Sequence, residues 1–346
     1  MVKVFTTVCG IGGPDHCVDG WVLDHIRRIP DLTLVDSPEQ ADLVFFSWTW
    51  RPEYQPDHGM IQRILRANKP VVVFDYLECS DDTACVLTKP NDAWCSALQK
   101  YDACAALEPL VKLYFKREYC PAKLPPTPYP VVPTDFMSDY IKEFDEQELT
   151  NRTQFEQRPI DLFYIYGYSG TERMLFHAEL LRRYHDPLRM CLTLEQVENS
   201  LRLGHKNIIA LLFVPPELRY PFTDILKYQG MSKLSLSLRG ASWKCFRHAE
   251  ACKNAVMGLQ DCHSEFAFPW KKGINCVSLP NLPRLNPSPR YWLDLGASLT
   301  QISLALASDL YPVYVSGRQN AANYITENYI ERHWLPHLRQ HHVWPA

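Results

Sequence analysis

The sequence predicts an α/β protein made of two Rossmann-like domains facing each other across a cleft. Short apolar runs of strand length alternate with amphipathic segments of helical length in both halves of the chain. A polar, acidic stretch from Asp139 to Gln157 separates those halves. The second half also holds one complete strand, glycine turn and helix, Lys233 to Gly258, around which the other segments form a frame.

A chain of 346 residues is long enough for two domains, and 46% apolar with 22% charged residues is the balance of a globular protein with a sizeable core. The formal net charge of −3 supplies no overall attraction to nucleic acid or anionic membrane, and no basic run offsets it locally. The opening MVKVFTTVCGIGG lacks the apolar core of a signal peptide, and no later run approaches a membrane span, so a cytoplasmic location is expected. The twelve cysteines are scattered without a C-x-x-C pair, which reads as reduced thiols rather than a disulfide framework. Asn151-Arg152-Thr153 matches a glycosylation sequon, which has no meaning in a chain that is not secreted.

Taken in order, Val2 to Val8 reads as the first strand, running into the flexible turn Cys9 to Gly13 and then a helix over about Val18 to Ile29. That turn lacks both the Walker lysine and the dinucleotide fingerprint, so it reads as a loop on the acceptor side. Thr33 to Val35 and Leu43 to Ser47 read as strands, Gly59 to Ala67 as a helix, and Pro70 to Phe74 as a buried strand of the parallel type. Asp75, Tyr76 and Glu78 then fall just beyond that strand's carboxyl end, either as turn and cap residues or as a ligand-facing group. Tyr114 to Glu118 closes the first domain, and Pro121 to Pro133 reads as a stiff connection rather than a packed element.

The second domain opens with a strand, Ile160 to Tyr166, and turns at Gly167-Tyr168-Ser169-Gly170 into a helix carrying Arg173 and Leu181. Ile208 to Val214 is a further apolar strand, Phe222 to Gly230 a short helix, and Gly273 to Leu279 another strand. Ser298 to Asp309 and Ala321 to Leu338 read as closing helices. The expected division is 1–135, a linker at 136–158, a second domain at 159–320, and a terminal helix at 321–346.

Within Lys233 to Gly258, Leu234, Leu236 and Leu238 alternate with Ser235, Ser237 and Arg239, the period of a strand. Gly240 breaks it, and after Ala241 and Ser242 the apolar residues Phe246, Ala249, Cys252, Val256 and Leu259 recur at helical spacing, so a helix is expected from about Ser242 or Trp243. A helix entered directly from a strand turns its unpaired N–H groups and positive dipole end toward the crevice above the sheet, where anions bind. Arg247 and Glu250 share one side of that helix, which suits either an exposed ion pair or a phosphate and ribose contact.

Arg239-Gly240, Cys245-Phe246-Arg247 and Glu250-Ala251, followed by Phe266-Ala267-Phe268-Pro269-Trp270, resemble the nucleotide-sugar site of exostosin-like glycosyltransferases of GT-B architecture. The resemblance implies that Arg247 faces the donor diphosphate and Glu250 the ribose, with Arg239, Gly240 and Ser242 in the same strand-turn-helix. Gly167, Ser169 and Arg173 resemble that family's opening turn of the second domain, which makes Arg173 a second phosphate contact. The order of an aromatic-Lys-Arg box at Tyr114 to Arg117 and a Pro-rich stretch is also similar, and implies that Lys116 and Arg117 approach the donor; on their own they read as surface charges.

These expectations amount to an inverting glycosyltransferase that uses a nucleotide sugar, UDP-linked by preference, and a hydroxyl-bearing glycan acceptor. No cofactor is held permanently, and no metal is expected, because helix dipole and arginine stabilise the leaving diphosphate. Cys9 with His16 and Cys17, and His333 with His337, lack the second pair that a zinc site needs. The catalytic base is expected among Asp75, Asp15, His16 and Glu78, with Asp75 first. Rival readings are a hydroxymethylated DNA base as acceptor, which the net charge opposes, and a non-catalytic domain that kept the fold.

Overall fold

The computed structural model describes residues 1–7, 24–48, 57–76, 104–137, 151–167, 171–215, 218, 220–239, 244, 247–262, 264–282 and 292–345. The chain forms two compact units, one of residues 1–135, 263–267 and 326–346, the other of residues 136–262 and 268–325. Each contains a six-stranded sheet whose strands pair in parallel throughout, so the α/β expectation with two Rossmann-like sheets holds.

The first sheet comprises β1 (Val2–Thr6), β2 (Leu32–Leu34), β3 (Leu43–Trp48), β4 (Val71–Asp75), β5 (Val111–Lys116) and β6 (Val131–Pro133), in the order β2-β1-β3-β4-β5-β6. The chain steps one way from β1 to β2 and the other way to β3, so the switch point lies between β1 and β3. All five residues of β4 are buried, as its unbroken apolar run required, and Asp75 is its last residue rather than a loop residue beyond it. Helix α1 (His58–Ala67) is started by the Asp57 carboxylate, which accepts from the Met60 N–H at 2.7 Å, and stopped by Asn68 in the left-handed conformation at φ 52°.

Two expectations in this unit are corrected. The Pro-rich segment is packed: β6 pairs with β5 at Tyr114–Val131 and Lys116–Pro133, and a proline is tolerated because β6 is the sheet edge. The long terminal helix is instead a succession of Thr326–Tyr329, a π-helical stretch Ile330–Trp334 and Leu335–Gln340. Pro336 has no N–H for the carbonyl one turn back, which accounts for the wider turn ahead of it. Here Trp334 is buried against Phe74 and Phe115, with ring centroids 4.7 and 6.0 Å apart, and the Asp135 N–H donates to the Tyr329 hydroxyl at 2.7 Å.

In the second unit, α2 (Arg152–Glu156) precedes β7 (Ile160–Gly167) and α3 (Thr171–Arg183). These are followed by β8 (Met190–Cys191), α4 (Leu194–Arg202), β9 (Ile208–Val214) and α5 (Phe222–Gly230). Then come β10 (Ser232–Ser237), α6 (Arg247–Asn254), β11 (Val256–Gln260), β12 (Val277–Leu279), α7 (Leu295–Leu306) and α8 (Tyr311–Ala321). Strand order is β12-β11-β10-β7-β9-β8, with the switch point between β7 and β10. Leu162, Tyr164, Leu234 and Leu236 on one face pack with Phe176, Ile302 and Tyr314 of the helices, while Phe163, Ala210 and Leu212 on the other pack with Val197 and Tyr228.

The helix expected from Ser242 through Leu259 is shorter. It runs from Arg247 to Asn254, and Val256 and Leu259 belong to β11, whose five residues are all buried between β10 and β12. A strand covered on both faces is apolar at every position, and a three- or four-residue step picks out some of those positions by chance. Gly258 makes room there for Leu236, because a Cβ would lie 2.6 Å from Leu236 Cδ2 and that side chain would have to shift. The strand expected over Gly273 to Leu279 shrinks to β12, and the helix expected over Ser298 to Asp309 is α7, shifted toward the N-terminus by the Asp294 cap that accepts from Ala297 N–H at 2.9 Å.

Candidate functional site

The carboxyl ends of β7 and β10 flank the switch point of the second sheet, the place where open parallel sheets bind ligands. Helix α3 leaves β7 there and sends two adjacent side chains across the crevice. Arg173, 7% exposed, donates from Nε to the carbonyl of Arg239 at 2.9 Å and from Nη2 to the carbonyls of Leu238, at 3.2 Å, and Arg239. Its guanidinium therefore holds the backbone that leaves β10, a contact that the sequence did not suggest.

Glu172 is the centre of the polar network at this edge. Its Oε2 accepts from Arg239 Nε at 3.2 Å, and its Oε1 from Gln260 Nε2 at 3.1 Å and the Leu293 N–H at 2.5 Å. Gln260 ends β11 and is buried; it also donates to Asn281 Oδ1 at 2.9 Å and accepts from the Arg239 N–H at 3.3 Å. One carboxylate thus fixes the Arg239 side chain, the end of β11 and the segment before α7. Reading by sequence missed Glu172 and Gln260; the signal available was a carboxylate next to an arginine just after the Gly167 turn.

A second contact fixes α6. Ser237 Oγ, at the end of β10, lies 2.8 Å from Nδ1 of His248, the second residue of the helix, and both side chains are buried. Arg247 opens the helix, so its backbone belongs to the first turn, where N–H groups lack intrahelical partners. The side chains of Arg247 and Glu250, and all of Ser169, Gly240 and Ser242, lie outside the described residues. Cys252 and Cys276 are buried thiols, and burial pushes Cys276 up to about 12 and Cys252 well above the ordinary thiol value, so neither supplies a thiolate.

In the first unit, Asp75 and Lys116 are fully buried on neighbouring strands. Asp75 Oδ2 accepts from Lys116 Nζ at 2.9 Å and from the Tyr114 hydroxyl at 2.7 Å. Arg117, 1% exposed, donates from Nε to Glu118 Oε1 at 3.2 Å, while the Ser264 hydroxyl donates to Glu118 Oε2 at 2.9 Å. The aromatic-Lys-Arg box is therefore interior, not a surface charge pair. Burial of Asp75 is complete rather than partial. Asp15, His16 and Glu78 lie outside the described residues, as does the Cys9 to Gly13 turn.

No protein-family model matches the sequence, and no curated protein matches it. Among solved structures the chain is similar to an α-glucosyltransferase in complex with UDP-glucose and DNA containing an abasic site, at 10% identity over 97% of this chain and 98% of that one, TM-score 0.48. It is also similar to a trehalose-6-phosphate protein from E. coli bound with UDP-2-fluoro glucose, at 12% identity over 88% and 74% of the two chains, TM-score 0.48. A third is a trehalose-6-phosphate synthase described for glycosyl transfer with retention, at 12% identity over 86% and 73%, TM-score 0.45. At this distance the likeness carries no argument about the activity of this chain. Among the described residues, no helix is long and apolar enough to cross a membrane.

Proposed function

We propose that this chain is a GT-B glycosyltransferase that moves a sugar from a UDP-sugar to a hydroxyl of a glycan acceptor. The observation that carries the reading is the switch point between β7 and β10. There the residues that follow β10, ending in the exostosin-like Arg239, are held by Arg173 and Glu172, and α6 starts at Arg247. A diphosphate bound at the first turn of α6 meets the positive end of the helix dipole and the Arg247 side chain, and Glu250 one turn on accepts from the ribose hydroxyls.

In this reading a base takes the proton of the acceptor hydroxyl, the oxygen attacks the anomeric carbon, and the bond to the diphosphate breaks with its electron pair leaving on UDP. Arg247 and the helix dipole meet that developing charge, so the step does not call for a resident metal. The base is assigned to Asp15, His16 or Glu78 ahead of Asp75. Residues 8–23 follow β1, which borders the first sheet's switch point, whereas Asp75 is bound by Lys116 and Tyr114 on β5. The resemblance implies inversion at the anomeric carbon.

Thermal shift across nucleotide sugars tests the donor, since a ligand of the folded state raises its apparent stability by mass action. UDP and UDP-sugars should raise the melting temperature more than GDP- or CMP-sugars. The absence of any shift with UDP compounds would defeat the reading. Release of free sugar from the bound donor distinguishes an enzyme from a binding domain, and the anomeric proton coupling of the product decides between inversion and retention.

A further inference from the structure

Helix α6 has eight residues, a length of about 12 Å, and a helix that short is marginal in water, so its place is set by what it packs against. Its later half is held by apolar contact. Ala251 and Cys252 are buried, and a Cβ on Gly317 of α8 would stand 3.8 Å from Cys252 Sγ. Apolar contact is non-directional and by itself leaves the rotation of so short a helix loosely set.

The first turn is held differently. His248 is its second residue, and Nδ1 of the ring lies 2.8 Å from Oγ of Ser237, the last residue of β10. The two residues are 2% and 5% exposed, so this bond is made away from bulk water. A hydrogen bond has a set length and direction and weakens steeply when either is lost. Successive helix positions are about 100° apart, so pinning His248 to the strand fixes the rotation of positions 247 and 250 as well. The cavity beside Ser237, lined also by Tyr166 and Arg173, holds about 10 Å³, room for one water molecule at most. The pair therefore acts through the helix rather than by touching a ligand.

We propose that His248 is a positioning residue for the donor: its hydrogen bond with Ser237 sets the distance and rotation of the first turn of α6 against β10, and with them the affinity for the diphosphate. The inference rests on the glycosyltransferase reading, in which that turn meets the diphosphate, and deepens it by giving a role to two buried residues behind the ligand. The partners share one bond. Removing either should cost the same affinity, and removing both should cost no more than removing one.

Calorimetric titration of the full chain with UDP, alongside Ser237→Ala, His248→Leu, the double variant and His248→Asn, tests it. An Asn amide nitrogen stands close to the place of Nδ1, so His248→Asn restores a partner for Ser237 Oγ. Ser237→Ala and His248→Leu should each bind UDP about three- to tenfold more weakly, with the double variant no weaker than the weaker single one and His248→Asn within about twofold of the wild type. Circular dichroism at the titration temperature establishes that each variant is folded. A bond with a structural role alone would lower the urea midpoint and leave the UDP affinity of the folded protein unchanged. A wild type that binds UDP, with Ser237→Ala and His248→Leu binding it equally well, overturns this inference and leaves the donor reading standing. So does a His248→Asn protein as weak as His248→Leu, since the effect would then come from the ring and not from the bond. A wild type that does not bind UDP removes the donor reading and this inference together.

Discussion

The Nε of Arg173 donates to the carbonyl oxygen of Arg239 at 2.9 Å, tying the first turn of the helix after β7 to the turn that leaves β10. Those two segments border the switch point, so one buried guanidinium sets the distance between the walls of the crevice. Arg173→Met keeps the stem and removes the donors, leaving buried carbonyl oxygens short of partners, at a cost of about 1–3 kcal/mol. Urea unfolding should show a lower midpoint with an unchanged slope. UDP affinity should fall as well in the proposed reading, since the backbone at Leu238 and Arg239 loses its hold.

Arg247 faces the donor diphosphate in the proposed reading. Arg247→Ala removes a charge-assisted contact worth roughly 1.5–3 kcal/mol, so UDP affinity should drop on the order of tenfold to a hundredfold. A folded Arg247→Ala protein that binds UDP like the wild type would remove the assignment.

Asp75 and Lys116 form an ion pair with side chains 1% and 0% exposed. Losing one partner takes the counter-charge from a buried ion, which costs about 3–5 kcal/mol. Asp75→Asn should therefore lower the unfolding midpoint strongly. Where folded protein is recovered, turnover per folded molecule should stay within a few fold of wild type, whereas a catalytic base would lose about 10²–10⁴-fold in kcat. A loss of that size in a protein of normal stability would return the base to Asp75.

Burial holds the imidazoles of His177 and His337 below the usual histidine range, and the neighbouring His341 pushes His337 the same way. The folded state therefore resists their protonation while the unfolded chain accepts it near pH 6.5. Stability should be level above that pH and fall as the pH drops below about 6.5 toward the lower folded values. A His177→Gln/His337→Gln protein should show a flatter melting temperature between about pH 5 and 7. An identical slope in wild type and double variant would show that other groups set the acid limit.

Local patterns carried much of the fold. Ile208–Val214 and Phe222–Gly230 could be read from the sequence to the residue, because one is an unbroken apolar run and the other opens after a proline. The alternation of Leu234, Leu236 and Leu238 located β10, although the strand ends at Ser237, short of the Leu238 and Arg239 that the pattern included. These features depend on side chains a few residues apart, which is the range over which hydrophobic period and turn chemistry act.

Other features depend on partners far along the chain, and only the tertiary structure decided them. Val256–Gln260 is a strand because β10 and β12 cover both of its edges; in isolation its apolar residues continue the period of the helix before it. Glu172 becomes the hub of the candidate site through Gln260, 88 residues away, and Leu293, 121 residues away. Asp75 is an interior ion-pair partner because β5 lies beside β4 and brings Lys116 to it, 41 residues on. Residue types and spacing set which elements form, whereas strand order sets which carboxylates meet water and which meet a buried cation, since that choice rests on long-range pairing and the desolvation it imposes.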